Sequence, residues 1–522
     1  MNPNKASTHR LLITAICLTA VLCVLLGVAL LLPEPPISAS GSNPQLSTHG
    51  TTLPHGTTTL LQGTTTSIVS PTTKPIVPPT TKPIVLPTTG PSVPPTTEPT
   101  VPPTTEPTVP PTTEPTVPPT TGSSAIKVSS ATIGATGDFL MNLPVVNSAA
   151  IVNGVHDFAN TFTYYKEYIS AVDMAVANLE TTLAGADYVN SDGTIGYHGS
   201  FRFNSPDGIV PSLQAAGFDL LLTANNHTYD TTSTGFYRTQ EVLKSYGMNY
   251  LGTLTNNQQT LWQVHEVNGI KIGMICYTYE NDDDPDKVKL NGISMNSTTG
   301  ALIGTFSYGQ LNTFYAELAD QIADMRDAGA EAIVLYIHWG DEYKTTQNKK
   351  QSTMAQKICD LGVDVIVGGH PHVVQPIQLL TSTTDATHKT VCIYSLGNAL
   401  SNQRISEMSL KTGHTEDGLL FQFSFAKYSD GTVILESVNV LPTWVDMYYD
   451  TDAQKKVYTI LPLDTGIEDW KTAFSLTDER YTAAVASYER TMAIVGTGLS
   501  AVKDYLAQLV ADTEAALGIY HS

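Results

Sequence analysis

Six apolar, β-rich runs each end in a short polar motif, and that repetition limits the fold more than any other feature of the chain. Asp364-Val365-Ile366-Val367-Gly368 leads into Gly369-His370-Pro371-His372. Ala131-Thr132-Ile133-Gly134-Ala135-Thr136 leads into Gly137-Asp138, and Met174-Ala175-Val176-Ala177 into Asn178-Leu179-Glu180. Leu220-Leu221-Leu222-Thr223-Ala224 leads into Asn225-Asn226-His227, and Ile333-Val334-Leu335-Tyr336-Ile337 into His338-Trp339-Gly340. Val391-Cys392-Ile393-Tyr394-Ser395-Leu396 leads into Gly397-Asn398. Runs of this length and composition predict buried strands. In an open α/β sheet, ligands bind outside the carboxyl ends of strands. The placement therefore gathers Asp138, Glu180, Asn226, His227, His338, His370 and His372 along one rim. Carboxylate, amide oxygen and imidazole together suit a borderline divalent metal. Taken singly, His338 reads as a satisfied core histidine and His370 and His372 as loop residues beside glycines; the signal lies in the whole set.

Helical stretches are predicted between the strands, at 306–330 and 349–361, and this alternation argues for an α/β class. The alternation runs from 125 to about 441, and then the pattern changes. The β-rich runs 418–426 and 432–438 flank Ser429-Asp430-Gly431, which predicts a hairpin. Beyond Ser475 the chain reads as helix, opening on a capping box at Ser475 and Asp478. Gly496-Thr497-Gly498 is expected to break it in two.

Residues 11–32 are apolar and uncharged, close to the roughly 20 residues that span a bilayer. Lys5 and Arg10 precede them, which keeps residues 1–10 in the cytoplasm. Pro33-Glu34-Pro35-Pro36 is no small-residue cleavage site. The expectation is an uncleaved anchor with all that follows outside the cell, and a cleaved signal peptide is the rival. Residues 33–124 are a Thr/Pro-rich linker, in which Pro-Thr-Thr-Lys-Pro-Ile-Val-Pro and its variants recur from Pro71. Such a segment buries no core and favours polyproline II. At ~3.1 Å per residue it reaches on the order of 100 Å or more, enough to hold a domain away from the membrane or through a cell wall. The expected domain is 125–445, followed by a mainly helical extension at 446–522.

The formal net charge is −21. Before Lys127 the basic residues Lys5, Arg10, Lys74 and Lys82 balance Glu34, Glu98, Glu106 and Glu114. The negative charge therefore belongs to the part after the linker, which excludes nucleic acid as a partner. It would also repel a polyanion, except where a bound cation inverts the local field. Cys17, Cys23, Cys276, Cys359 and Cys392 lie in or beside apolar runs and indicate no disulfide framework.

Gly137-Asp138, Asn178-Leu179-Glu180, Asn225-Asn226-His227 with Asp230, His338-Trp339-Gly340-Asp341-Glu342-Tyr343, Gly369-His370-Pro371-His372 and Tyr394-Ser395-Leu396-Gly397-Asn398 occur in that order. Together they resemble the CapA-like capsule (poly-γ-glutamate) synthesis family, a branch of the calcineurin-like metallophosphoesterases, over about 128–441. The resemblance implies a four-layer sandwich, with two mixed β-sheets between helices, around a two-metal site. Asp138 and His372 would hold the first metal, Glu180 would bridge, and Asn226, His338 and His370 would hold the second. His227 would be the catalytic histidine and Asp230 its orienting carboxylate. The wider superfamily has Asp-x-His where this chain has Asp138-Phe139-Leu140, so the first site is short of a ligand. Manganese, zinc or iron, as one or two ions, is the implied cofactor. Glu342 either orients His338 or is a surface acid. Arg202, in the alternating run Phe201-Arg202-Phe203-Asn204, either meets an anionic substrate or lies on a solvated strand face.

The expected function is that of a membrane-anchored extracellular protein in synthesis or export of an anionic capsule polymer. Its partners would be that polymer or a phosphate ester, a membrane synthase or export complex, and the cell wall. Hydrolysis of another envelope substrate and non-catalytic polymer binding at the wall are the alternatives.

Overall fold

The computed structural model describes residues 125–281 and 288–519. The expected anchor at 11–32 and the linker at 33–124 lie outside the described residues. Among the described residues, no helix is long and apolar enough to cross a membrane.

The chain builds half of one sheet, crosses to a second, and returns to finish the first. β1 (Lys127–Phe139), β2 (Met174–Leu179), β3 (Leu220–Leu222) and β4 (Asn249–Leu251) run parallel, side by side. The second sheet follows: β5 (Trp262–Val267), β6 (Ile270–Tyr279), β7 (Thr305–Phe306), β8 (Ala332–His338), β9 (Val365–Gly369), β10 (Ile377–Thr381) and β11 (Lys389–Ile393). β12 (Asn398–Leu400) then pairs with β1, and β13 (Asp417–Tyr428), β14 (Val433–Asp450) and β15 (Lys455–Pro462) extend the first sheet antiparallel. β5 and β10 are the antiparallel members of the second sheet. Both sheets are therefore mixed, and the chain is α/β.

Two-residue alternation decides which core each side chain enters. On β8, Ala332, Val334 and Tyr336 face a core shared by the two sheets, together with Ile133 and Ala135 of β1. Ile333, Leu335 and Ile337 point the other way, onto α3 (Leu311–Asp327) and α4 (Lys349–Asp360). Ala175, Ala177 and Leu179 of β2 point away from the shared core, onto α1 (Ile209–Ala216) and α2 (Thr232–Ser245). The order is helices, sheet, sheet, helices. With both faces covered, these strands read as unbroken apolar runs. Each valine, leucine or isoleucine side chain buried this way contributes about 1.5–3 kcal/mol relative to exposure.

α3 starts later than the predicted 306–330 because Thr305–Phe306 is taken by β7, paired with β6. α4 follows the predicted 349–361, with a capping box between Asn348 and Gln351. The hairpin joins β13 to β14 where expected, with Gly431 at φ +94° accommodating the turn. β14 runs through position 445, the expected domain limit.

The C-terminal expectation needs correction. α5 (Asp478–Ala516) is one uninterrupted helix. Its cap is Thr477, whose side chain accepts from the Arg480 N–H, whereas Ser475 sits at φ +51° outside the helix. Gly498 does not break α5; it lets the helix touch β10. A Cβ there would lie 1.9 Å from the Ile377 carbonyl oxygen, whereas one at Gly496 would meet only the Met492 methyl at 4.0 Å. Gly498→Ala is therefore expected to lower stability by about 1–3 kcal/mol through overpacking. Gly496→Ala should be neutral, or stabilising by up to about 1 kcal/mol, since alanine favours helix. Equal thermal shifts for the two variants would refute the packing explanation.

Candidate metal centre

Strand register places the polar motifs together. Asp138 on β1 sits opposite Asn178 on β2 and Asn398 on β12. His338, the last residue of β8, sits opposite Thr278 of β6 and Gly369 of β9. Asn226 and His227 occupy the turn between β3 and α2. The site thus lies where the carboxyl ends of the parallel strands of both sheets meet. Gly137 allows the close approach of β1 to the chain before β12: a Cβ there would fall 2.0 Å from the Gly397 carbonyl oxygen. That same oxygen accepts from the Asp138 N–H at 3.0 Å.

The structure brings together all eight residues singled out for metal binding and catalysis. None is more than 6% exposed. The Asp138 carboxylate accepts from Asn178 Nδ2 at 2.8 Å and from the His370 backbone N–H at 3.3 Å, and its Oδ2 lies 3.2 Å from His372 Nδ1. His338 Nε2 lies 2.9 Å from Asn226 Oδ1 and 3.3 Å from Glu180 Oε1. His227 Nε2 and His372 Nε2 each lie 3.9 Å from that same Glu180 oxygen. His227 Nδ1 meets Asp230 Oδ2 at 2.6 Å. His370 and His372 have φ of +96° and +55°, a backbone region that is costly for residues other than glycine. Such strain persists where surrounding structure imposes it, often at functional sites.

Charge follows from this geometry. Burial raises the Asp138 carboxyl, but the hydrogen bond to His372 and the nearby His338 and His372 rings outweigh it and hold it below its ordinary value. Burial opposes protonation of His372, yet Glu180 and Asp138 push its pKa up to about 9. Burial also opposes protonation of His227, and Asp230 raises its pKa all the same. His370 is held well below the ordinary imidazole range by burial and by the neighbouring histidines.

A divalent ion fits these residues. Both carboxylate oxygens of Glu180, and His370 Nδ1, are buried without a hydrogen-bond partner among the described residues. Leaving such groups unmatched is costly. Ligand atoms of Glu180, His370 and His372 lie within 4.8 Å of one another, as do those of Asp138, Glu180 and His338. Glu180 belongs to both groups. These groups cut across the division into Asp138 with His372 and His338 with His370 that the resemblance implied. Leu140 is buried, and its backbone N–H binds the Leu400 carbonyl.

Asparagines were under-read in the sequence. Asn225 Nδ2 donates to Asn178 Oδ1 and to the Leu179 carbonyl, and Asn398 Oδ1 faces His372 Nδ1 at 3.1 Å. Both stand inside the quoted motifs, where their position was the available signal. Asn291, which touches Asp230 and His227, was missed. Its signal was the Asn291-Gly292 pair, a two-residue hairpin signature. Glu342 is exposed beside Tyr343, whereas His338 Nε2 faces Asn226 and Glu180. Arg202 donates to Ser191 Oγ at 2.7 Å, in a cleft that also reaches Asp230.

Fold and site define an α/β protein with two mixed sheets and a buried carboxylate–imidazole cluster able to hold metal. Residues 132–403, more than half of the chain, match the family described as bacterial capsule synthesis protein PGA_cap, and the chain belongs to that family. It is similar to the capsule biosynthesis protein CapA of Bacillus anthracis, 26% identical over 284 residues, 53% of this chain and 60% of that one. It is also similar to the PGA biosynthesis protein CapA of Bacillus subtilis (strain 168), 24% identical over 324 residues, 60% of this chain and 75% of that one. The match thus spans less than two thirds of the Bacillus anthracis protein.

Proposed function

We propose that this chain acts outside the cell, tethered by residues 11–32, in the synthesis or export of an anionic capsule polymer of the poly-γ-glutamate type, and that it works through a divalent metal site. The observation that carries this reading is the Glu180 carboxylate, buried with neither oxygen hydrogen-bonded and with three imidazole nitrogens within 4 Å of one of them. The relatives are named for capsule and PGA biosynthesis, and the acidic chain can approach such a polymer only where a cation offsets its own charge.

Asp138, Glu180, Asn226, His338, His370 and His372 would hold manganese, zinc or iron, with Glu180 shared if two ions bind. Such an ion supplies Lewis-acid polarisation of a phosphoryl or carbonyl oxygen. The remaining chemistry falls to the chain. Asp230 accepts the proton on His227 Nδ1 and fixes the ring, which leaves Nε2 facing the cluster. From there the doubly protonated His227 ring would give its Nε2 proton to the leaving oxygen of a phosphate ester, or the leaving nitrogen of an amide-type bond, while a water molecule attacks the phosphorus or the carbonyl carbon and the ring is left neutral. The named residues of the site are all buried, which limits the water that reaches them.

A second reading has its own support in Leu140, which stands where the wider superfamily has a histidine and so leaves one site short of a ligand. On that reading the domain binds the growing polymer through its metal and assists a membrane synthase without turnover. The two readings separate in the native host. On the enzymatic reading His227→Ala reduces capsule about as severely as His338→Ala, because positioned acid catalysis is worth ~10²–10⁴ in rate. On the binding reading His227→Ala makes normal capsule, and only His338→Ala or His370→Ala abolishes it. Normal capsule in all three variants would reject both readings.

A further inference from the structure

We infer that Asn291 is a positioning residue for His227, acting through Asp230. The inference rests on the reading of His227 as the proton donor. Asn291 sits at the tip of a ribbon in which Lys289–Leu290 pairs with Ile293–Ser294. Asn291 and Gly292 have φ of +46° and +73°, the left-handed pair that a two-residue turn demands and that asparagine and glycine tolerate best. The turn is held from outside by Asn281 Oδ1, which accepts from the Gly292 N–H at 3.0 Å.

The Asn291 amide nitrogen has two protons and three close neighbours. It lies 2.7 Å from the Phe201 carbonyl oxygen, 2.9 Å from Asp230 Oδ1 and 3.3 Å from His227 Nδ1. The first two are oxygens that only accept, so both protons go to them. The same two oxygens fix the amide orientation, since the flipped rotamer would set Asn291 Oδ1 against both. No Asn291 proton remains for His227 Nδ1. That nitrogen, 2.6 Å from Asp230 Oδ2, must carry its own proton and donate it. Asp230 Oδ2 also accepts from the Phe203 N–H at 2.7 Å. The carboxylate is thus held at both oxygens, by Asn291 on one side and by Phe203 and His227 on the other. Without Asn291, Oδ1 keeps no partner among the described residues, and Asp230 is held against the His227 ring through Oδ2 alone. A hairpin 61 positions further along the chain thereby fixes which His227 nitrogen faces the cluster.

The experiment uses the full chain with histidine-selective ¹⁵N labelling, loaded with zinc and assigned through His227→Gln. Asn291→Asp keeps the shape and the backbone preference but replaces the donor by an acceptor facing Asp230. Asn291→Gly removes the amide and relaxes the turn, so it reports even if the aspartate variant folds poorly. With the ring brought to its neutral form, the native chain should show a His227 protonated at Nδ1 and unprotonated at Nε2, the nitrogen that takes up and delivers the proton. Both variants should shift those ring signals toward a tautomer mixture while zinc content stays the same. With p-nitrophenyl phosphate as the probe, kcat should fall about 10–100-fold with KM unchanged, the usual size of losing such a support. Native-like ring signals in both variants would overturn the inference. If the native chain turns over no probe while the ring signals still shift, the reading of His227 as proton donor fails and the positioning by Asn291 stands.

Discussion

Glu180→Gln is expected to remove stoichiometric metal from the protein and, above about pH 9, where His372 no longer carries a charge to offset Glu180, to leave the metal-free form as stable as before, or more so. The two effects have opposite signs because one group causes both. Glu180 is fully buried, and neither carboxylate oxygen has a hydrogen-bond partner among the described residues. An isolated buried charge costs several kcal/mol unless something compensates it. Three imidazole nitrogens surround Oε1, at 3.3 Å for His338 and 3.9 Å for His227 and His372. Glutamine keeps the shape, removes the charge and offers one neutral oxygen. Metal affinity should fall at least 100-fold, the upper range for loss of even a supporting partner, and thermal unfolding in chelator above about pH 9 should not move downward. Elemental analysis together with a melt in chelator reads both. A variant that keeps its metal, or one that melts markedly lower without it, would make Glu180 a structural acid. On the same reasoning His338→Ala and His370→Ala should each weaken metal binding more than Asp138→Ala. Asp138 has Asn178, the His370 amide and His372 as partners already, and Leu140 leaves its side of the cluster short.

What could be read from the sequence follows what is local. Strands buried on both faces are continuous apolar runs, so β1, β2, β3, β8, β9 and β11 were visible, and the polar residues at their carboxyl ends pointed to a rim. The cluster of Asp138, Glu180, Asn226, His227, His338, His370 and His372 follows from that one regularity. What escaped depends on contacts between distant segments. Gly498 reads as a helix breaker until the Ile377 carbonyl is set against it. Asn291 reads as a turn residue until Asp230 is seen beneath it. The grouping of ligand atoms around Glu180 depends on how the second sheet is set against the first, and spacing along the chain does not contain that relation.

Removal of α5 is expected to prevent folding, although the family match ends at residue 403. Val495, Leu499, Val502 and Leu506 belong to the core shared by the two sheets. Their loss costs about 1.5–3 kcal/mol each. The polar face of α5 matters equally. Arg490 holds the buried Asp417 carboxylate at 2.5 and 2.6 Å, Ser487 adds a bond at 2.6 Å, and Arg480 Nε holds the buried Asp446 at 2.9 Å. Burial pushes the Asp417 carboxyl up to about 7 even with those partners present. Stripped of them it becomes a buried polar group without hydrogen bonds, as does Asp446. Breaking a buried pair by removing one side costs about 3–5 kcal/mol. Together these losses exceed the roughly 5–15 kcal/mol that holds a typical domain folded. Damage would reach the metal centre through β13. Gly397 packs against the Asp417 carbonyl oxygen and bridges to Gly418, and the next residue, Asn398, faces His372. A protein ending at Thr477 should therefore be insoluble or lack a cooperative melt, and Arg490→Ala in the full chain should lower the melting temperature and loosen metal together. A soluble, cooperatively melting protein without residues 478–522 that still binds metal would show that α5 is an accessory to the domain and not part of its core.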